Sequence, residues 1–120
     1  MGTEGWAEAT AAVFNMLGQP VCAEVAKPEW WDDEGLKALS ARVVRAVPNN
    51  EETNYMRAVV LTGMSDAWEA EPRSAAELTE AALHFDRSAA LSKAPALKAE
   101  KAQMADLCRS EAELGDQRDV

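Results

Sequence analysis

SAAELTEAALHFDRSAALSKAP, residues 74–95, is the stretch whose reading decides the fold. It opens with Ser-x-x-Glu, the spacing of a capping box. In that motif the Ser74 hydroxyl oxygen accepts from the backbone N–H three residues on, and Glu77 reaches back to the Ser74 N–H. It closes on Pro95, which cannot continue a helix but can begin another. At about 100° per residue, Leu78, Ala81, Ala82, Phe85 and Ala89 fall within roughly one third of the helix circumference. The stretch therefore reads as a one-sided helix of small residues with a single large knob, shaped to lie close against a neighbour. His84 points away from Phe85, toward Glu77, Glu80 and Arg87, and reads as a solvated helix histidine.

The rest of the chain is written in the same alphabet. Of 120 residues, 48% are hydrophobic and 28% charged, which is ordinary globular composition, and this length can bury a core as one domain. Alanine supplies about one residue in five and isoleucine is absent, so strong helix formers dominate and the composition argues for an all-α fold. The formal net charge is −9, from 21 acidic against 12 basic residues. Such a surface repels phosphate, which excludes nucleic acid and anionic membrane as natural partners. No apolar run approaches the roughly 18 residues of a membrane-spanning helix. The first residues carry Glu4 and Glu8 and lack a basic start, so they do not read as a secretory signal. Met-Gly followed by Trp6 fails the myristoylation pattern, which wants Ser or Thr there. A soluble intracellular protein, cytoplasmic by default, is the expectation. Cys22 and Cys108 form neither a disulfide framework nor a metal spacing, although the two could pair; a reducing compartment is the default.

Taken in order, a first helix is expected from Thr3 or Glu4 to about Leu17, with Trp6, Val13, Phe14 and Leu17 facing the core. Gly18 to Pro20 stop it, and residues 20–28 read as a turn or two of helix with Val21, Cys22 and Val25 on one side. Asp32 and Asp33 are N-cap candidates for a helix from Leu36 to Val47. Its apolar stripe is Leu36, Leu39, Val43, Ala46 and Val47, opposite Lys37, Arg42 and Arg45. Asn49 with Glu52 offers a cap for a helix from Glu51 to about Met64, with Tyr55, Ala58, Val59 and Thr62 on one side. Residues 65–73 read as a loop with a turn of helix around Trp68. Pro95 begins a last helix to about Leu114, carrying Leu97, Met104, Leu107 and Cys108 inward, and Gly115 to Val120 form a polar tail that should fray. The whole is a single domain: residues 1–28 an N-terminal helix and connector, 29–114 the helical core, 115–120 the tail.

Two of these helices end alike, LKALSARVVRAVPNN and LHFDRSAALSKAPA. Val44, Ala46, Pro48 and Asn49 close the first, and Phe85, Ala89, Leu91 and Pro95 close the second. In these endings the chain resembles the tetratricopeptide repeat family, whose second helix finishes in a short apolar stretch and a proline. Glu51 to Met64 would then be the first helix of the complete repeat. The prolines stand 47 residues apart against a family period of about 34, and the excess fits an insertion around Trp68 and Pro72. The resemblance covers roughly residues 29–114 and implies a degenerate, antiparallel helix-turn-helix array of about five helices. A small orthogonal bundle is the alternative architecture. It further implies a concave surface lined by the first helices, with Asn54, Arg57 and Leu61 on it.

No catalytic, cofactor-binding or metal motif emerges. The acidic pairs Asp32-Asp33 and Glu51-Glu52 diverge on a helix and read as caps, and no Gly-rich loop follows a strand. Adjacent Trp30 and Trp31 cannot face one core from a helix, so one is expected at a surface, where exposed Trp favours interfaces. The expectation is therefore a non-enzymatic module that binds a partner protein or peptide through Asn54, Arg57, Leu61, Trp68, Trp30 and Trp31. The alternative is an accessory subunit docked permanently into a larger assembly through its tryptophans.

Overall fold

A computed structural model describes residues 4–22 and 24–118. The Met-Gly start, Thr3 as the first helix's beginning and the last two residues of the expected tail lie outside the described residues, as does Ala23 in the connector. Five α-helices follow one another: α1 (Glu4–Leu17), α2 (Asp33–Ala46), α3 (Glu51–Thr62), α4 (Ala75–Leu91) and α5 (Pro95–Arg118), with a 3₁₀ turn at Pro20–Cys22. No strand occurs among the described residues, and no helix there is long and apolar enough to cross a membrane. The fold is all-α.

α4 is built as its sequence dictates. The Glu77 N–H donates to Ser74 Oγ at 3.1 Å and the Ser74 N–H donates to Glu77 Oε1 at 3.0 Å, closing both halves of the capping box. All five residues of its stripe are buried. So are His84 and Ser88, because α4 lies between α3 and α5 and is covered on two flanks. The solvated His84 expected from the helix wheel is thereby corrected: α3 occupies the side that a single-stripe reading leaves to water.

Cross-contacts fix the helix directions. Along α3 and α4, Arg57 meets Glu80, Asn54 meets His84 and the Glu51 carbonyl accepts from Ser88. One helix ascends as the other descends. The same holds for α2 against α3, where Arg57 reaches Lys37 and Thr53 reaches Val47. It holds again for α4 against α5, where Asp86 pairs with Arg109 and Ser92 with Lys101. The packing is a run of antiparallel neighbours, with short connections before α3 and α5 and longer ones before α2 and α4.

Two apolar clusters meet at α3. Met56 and Val60 join Ala7, Ala11, Phe14, Leu36, Val43 and Trp68 in the first. Ala58 and Leu61 join Ala81, Ala82, Phe85, Ala105 and Cys108 in the second. The α3 N-cap is Asn50, which accepts from the Thr53 N–H at 3.0 Å, and not Asn49. Its end is Gly63, at φ +63° in the left-handed region that favours glycine. α2 is capped by Asp32, accepting from the Gly35 N–H at 2.7 Å. A Cβ at Gly35 would stand 2.5 Å from the Trp30 carbonyl oxygen, so only glycine lets that chain pass.

Five expectations are corrected. In α1, Ala7 and Ala11 fill the stripe with Phe14 and Leu17, while Val13 faces out and Trp6 is half-buried under the Arg42 guanidinium, 5.1 Å away. In α5 the buried line is Lys101, Ala105, Cys108 and Ala112, and Leu97 and Leu107 face outward at 47% and 46% exposure. The cause is shared: alanine-sized residues allow the helix axes to approach, and larger ones are displaced to the flanks. Val21 and Val25 are exposed and make no apolar side for the connector, and Trp68 sits in a loop with a turn rather than on a turn of helix. The expected polar tail continues α5 as helix to Arg118.

Phe85 is 1% exposed and packs edge-on to Tyr55 with ring centroids 6.0 Å apart. Phe85→Ala should lower the unfolding free energy by about 3–5 kcal/mol and Ser74→Ala by about 1 kcal/mol, both read by urea denaturation. A Phe85→Ala protein within about 1 kcal/mol of the parent would show that this cluster does not hold the fold.

Candidate functional site

The residues singled out from the sequence are brought together in pairs, but inside the protein. Asn54 is fully buried: its Nδ2 donates to the carbonyls of Pro48 and Asn50 at 2.9 Å each, and its Oδ1 lies 2.8 Å from His84 Nδ1. Arg57 donates from Nη1 to the Lys37 carbonyl at 2.9 Å and to Ser40 Oγ at 3.1 Å, and from Nε to Glu80 at 3.2 Å. Leu61 belongs to the second cluster. This trio looks toward α2 and α4, so the concave surface assigned to it is corrected: these side chains are structural.

The tryptophans close a loop. Trp68 is buried and its Nε1–H donates to Asp33 Oδ1 at 3.0 Å, while the Trp31 Nε1–H donates to the Ala67 carbonyl at 2.9 Å. Phe14, Trp31 and Trp68 have centroids 5.4 to 6.2 Å apart. Trp30 and Trp31 are both half-buried. Trp30 keeps a face on a shallow dent of about 200 Å³ shared with Trp6, Val13 and Leu39. Beside this cluster Arg73 grips Asp33 with two nitrogens, at 2.6 and 2.8 Å, and also donates to the Val60 and Glu71 carbonyls. The Arg73 guanidinium holds the Asp33 carboxyl well below the usual carboxylate range, against the opposing effect of burial. Asp33 was expected only as a cap; its partner stands 40 residues away, and no local pattern announces it.

The open surface lies elsewhere. A groove of about 1200 Å³ runs between the C-terminal end of α1, α3 and α5. α1 and its following turn contribute Phe14, Asn15 and Pro20; α3 contributes Glu51, Glu52, Tyr55 and Val59; α5 contributes Leu97, Glu100, Lys101, Met104 and Leu107. On α3 these positions sit about one residue step, roughly 100°, around from Asn54 and Arg57. A signal for them existed in α5, which carries two apolar lines: one of small residues at 105, 108 and 112, the other of large ones at 97, 104, 107 and 114. Two stripes on one helix imply two neighbours, and α4 covers only the first.

At the edge of the groove Lys101 Nζ donates to Glu51 Oε2 at 2.5 Å and to Ser92 Oγ at 2.9 Å. Ser92 Oγ also faces Glu51 and the Ser88 carbonyl. A serine beside a lysine invites comparison with a nucleophile and its base. Here, however, the ammonium is ion-paired to a carboxylate, and the hydroxyl is surrounded by acceptors. The hydrogen bond from Lys101 holds the Glu51 carboxyl below its ordinary value. The cluster clamps α3, α4 and α5 together. Among the described residues no group of three or more His, Cys, Asp or Glu could hold a metal ion. Both cysteines are free; Cys108 is buried, which pushes its thiol upward. Comparison of the chain with protein-family models, with characterised proteins and with solved structures finds no match in any of the three.

Arg73→Ala removes one member of a nearly water-free pair, with side chains 3% and 11% exposed, and should cost about 3–5 kcal/mol in urea denaturation. His84 gives a pH signature. Burial pushes its imidazole below 6.5, while Glu80 pulls upward and Arg87 and Arg57 push down. The unfolded chain therefore binds the proton at higher pH than the folded one. This contribution is whole above about pH 6.5 and is lost as the pH falls from there through the lower value of the folded protein. The stability difference between wild type and His84→Gln should shrink or reverse from about pH 7.5 to about pH 5. A difference that does not change over that range would show that His84 does not titrate below its ordinary value.

Proposed function

We propose that this chain is a non-enzymatic protein-interaction module of degenerate tetratricopeptide-like architecture, which holds a segment of a partner protein in the groove between α1, α3 and α5. The observation that carries this reading is the alternation of the helices. The odd-numbered helices share the groove, while α2 and α4 stand behind them, as first and second helices do in a stacked repeat array. The groove sets Phe14, Tyr55, Val59, Leu97, Met104 and Leu107 among a comparable number of polar and charged side chains, the mixture of apolar surface and polar rim that binding surfaces use. Leu97, Leu107 and Leu114 along α5 are 45–47% exposed, each a large aliphatic side chain left to solvent on one helix. An alternative docking through Trp30, Trp31 and Trp68 has less to work with, since their indoles are engaged within the fold.

Site-specific photocrosslinking tests the reading. A benzophenone side chain at position 107, in the groove, should give a discrete adduct in the native cellular extract, identified by mass spectrometry. The same group at exposed position 90 on α4 should give none, and Leu107→Glu should remove an adduct formed from position 103. Equal adducts from positions 107 and 90, or none from 107, would overturn the assignment of the groove.

A further inference from the structure

We infer that the groove's occupant is a short amphipathic helix flanked by basic residues; this rests on reading the groove as a protein-binding surface. Three features of the groove select that chemistry. The outward line of α5 runs Leu97, Met104, Leu107, Leu114, a spacing of 7, 3 and 7 residues. That is the seam of a helix that packs beside another helix, each side chain entering a gap between residues of the neighbour. Between Leu97 and Leu107 the seam is about 15 Å long, room for about three turns of a helix laid beside it.

The walls also suit a segment that satisfies its own backbone. Phe14, Val59, Met104 and the two leucines offer no hydrogen bonds to an extended peptide, and no strand edge exists among the described residues for one to join. A helix arrives with its N–H and C=O groups already paired and needs only an apolar face.

Charge chooses among helices. Of the ionised groups on the groove, Lys101 and Glu51 neutralise each other. Glu52 and Glu100 remain, both exposed and without an ion pair among the described residues. They stand on α3 and α5, the two long walls, in a chain of net charge −9. A helix with Lys or Arg on both sides of its apolar stripe meets them; one with Glu there is repelled.

The test uses the full chain and two fluorescein-labelled, side-chain-stapled helices of about four turns. Both carry Leu at i, i+3 and i+7; one has Lys on the flanks and the other Glu. Fluorescence anisotropy should show the Lys helix binding at least about tenfold more tightly than the Glu helix. Leu107→Glu should abolish binding. Glu52→Lys with Glu100→Lys should weaken it about tenfold or more. Glu8→Lys with Glu69→Lys, the same change in net charge on other surfaces, should leave it within about twofold. Equal binding of both helices, lost on Leu107→Glu, would overturn the charge selection while leaving the groove as a protein site. Binding by neither helix would overturn the helical occupant, and the crosslinking from position 107 would still decide the groove. Binding of the Lys helix that ignores Leu107→Glu would overturn both readings, as mere attraction to an acidic surface. A dimer in light scattering that Leu107→Glu dissolves would assign the groove to a second copy and overturn the inference.

Discussion

Helix α3 has twelve residues and must serve two cores at once. Met56 and Val60 point into one, Ala58 and Leu61 into the other. That leaves its first turns to contact α2 and α4 with polar side chains, Thr53 and Asn54, both fully buried. Burying such groups costs free energy unless each finds a partner. Each does: Thr53 Oγ1 donates to the Val47 carbonyl, and the Asn54 amide closes the turn before α3 and meets His84. The polar residues on α3 are thus committed to joining helices α2, α3 and α4. Only the strip through Glu52, Tyr55 and Val59 is left to face outward, and that strip floors the groove.

Two ion pairs divide the remaining labour, one nearly dry and the other at the edge of the groove with Glu51 about one third exposed. Asp33 and Arg73 tie the start of α2 to the end of the long loop before α4, where the Arg73 guanidinium also takes the Val60 carbonyl at the end of α3. The loop's apolar side is Trp68, stacked edge-on against Phe14 and Trp31. Glu51 and Lys101 tie α3 to α5 across the end of α4. Desolvation makes such pairs poor sources of net stability compared with apolar packing. They fix register, since a slip by one turn would leave a charge buried alone.

Much of the fold was legible because it rests on local chemistry. The capping box at Ser74, the proline at 95 and the stripe from Leu78 to Ala89 are short-range patterns, and all three hold in the structure. The face of each helix was less legible where alanine is abundant. In α1 and α5 the buried lines are Ala7-Ala11 and Ala105-Cys108-Ala112, whereas a reading by side-chain size assigns the core to Val13, Leu97 and Leu107. Burial here follows how closely axes can approach, and small residues decide that. His84 was misplaced for a related reason: a wheel shows one helix, and α4 has two neighbours. The place of the groove was not legible. Stacked helices implied a concave side on α3, yet selecting Asn54, Arg57 and Leu61 over Tyr55 and Val59 required knowing which side α2 and α4 cover.

The two apolar lines of α5 sharpen the difference between a core and a binding surface. Its buried line is made of small residues and one lysine whose charge is cancelled by Glu51. This permits close packing on Ala81, Ala82 and Ala89 of α4. The outward line is made of leucines and a methionine, long side chains with room to move. Had the chain needed only to shield α4, the small line would suffice, and polar residues on the other flank would cost nothing. Leu97, Leu107 and Leu114, kept at seam spacing along the outer flank, increase exposed apolar area without adding to either cluster, while Met104 between them packs against the second. Such an arrangement is stable in water only as a compromise, and it lowers the free energy of any assembly in which another apolar helix covers it.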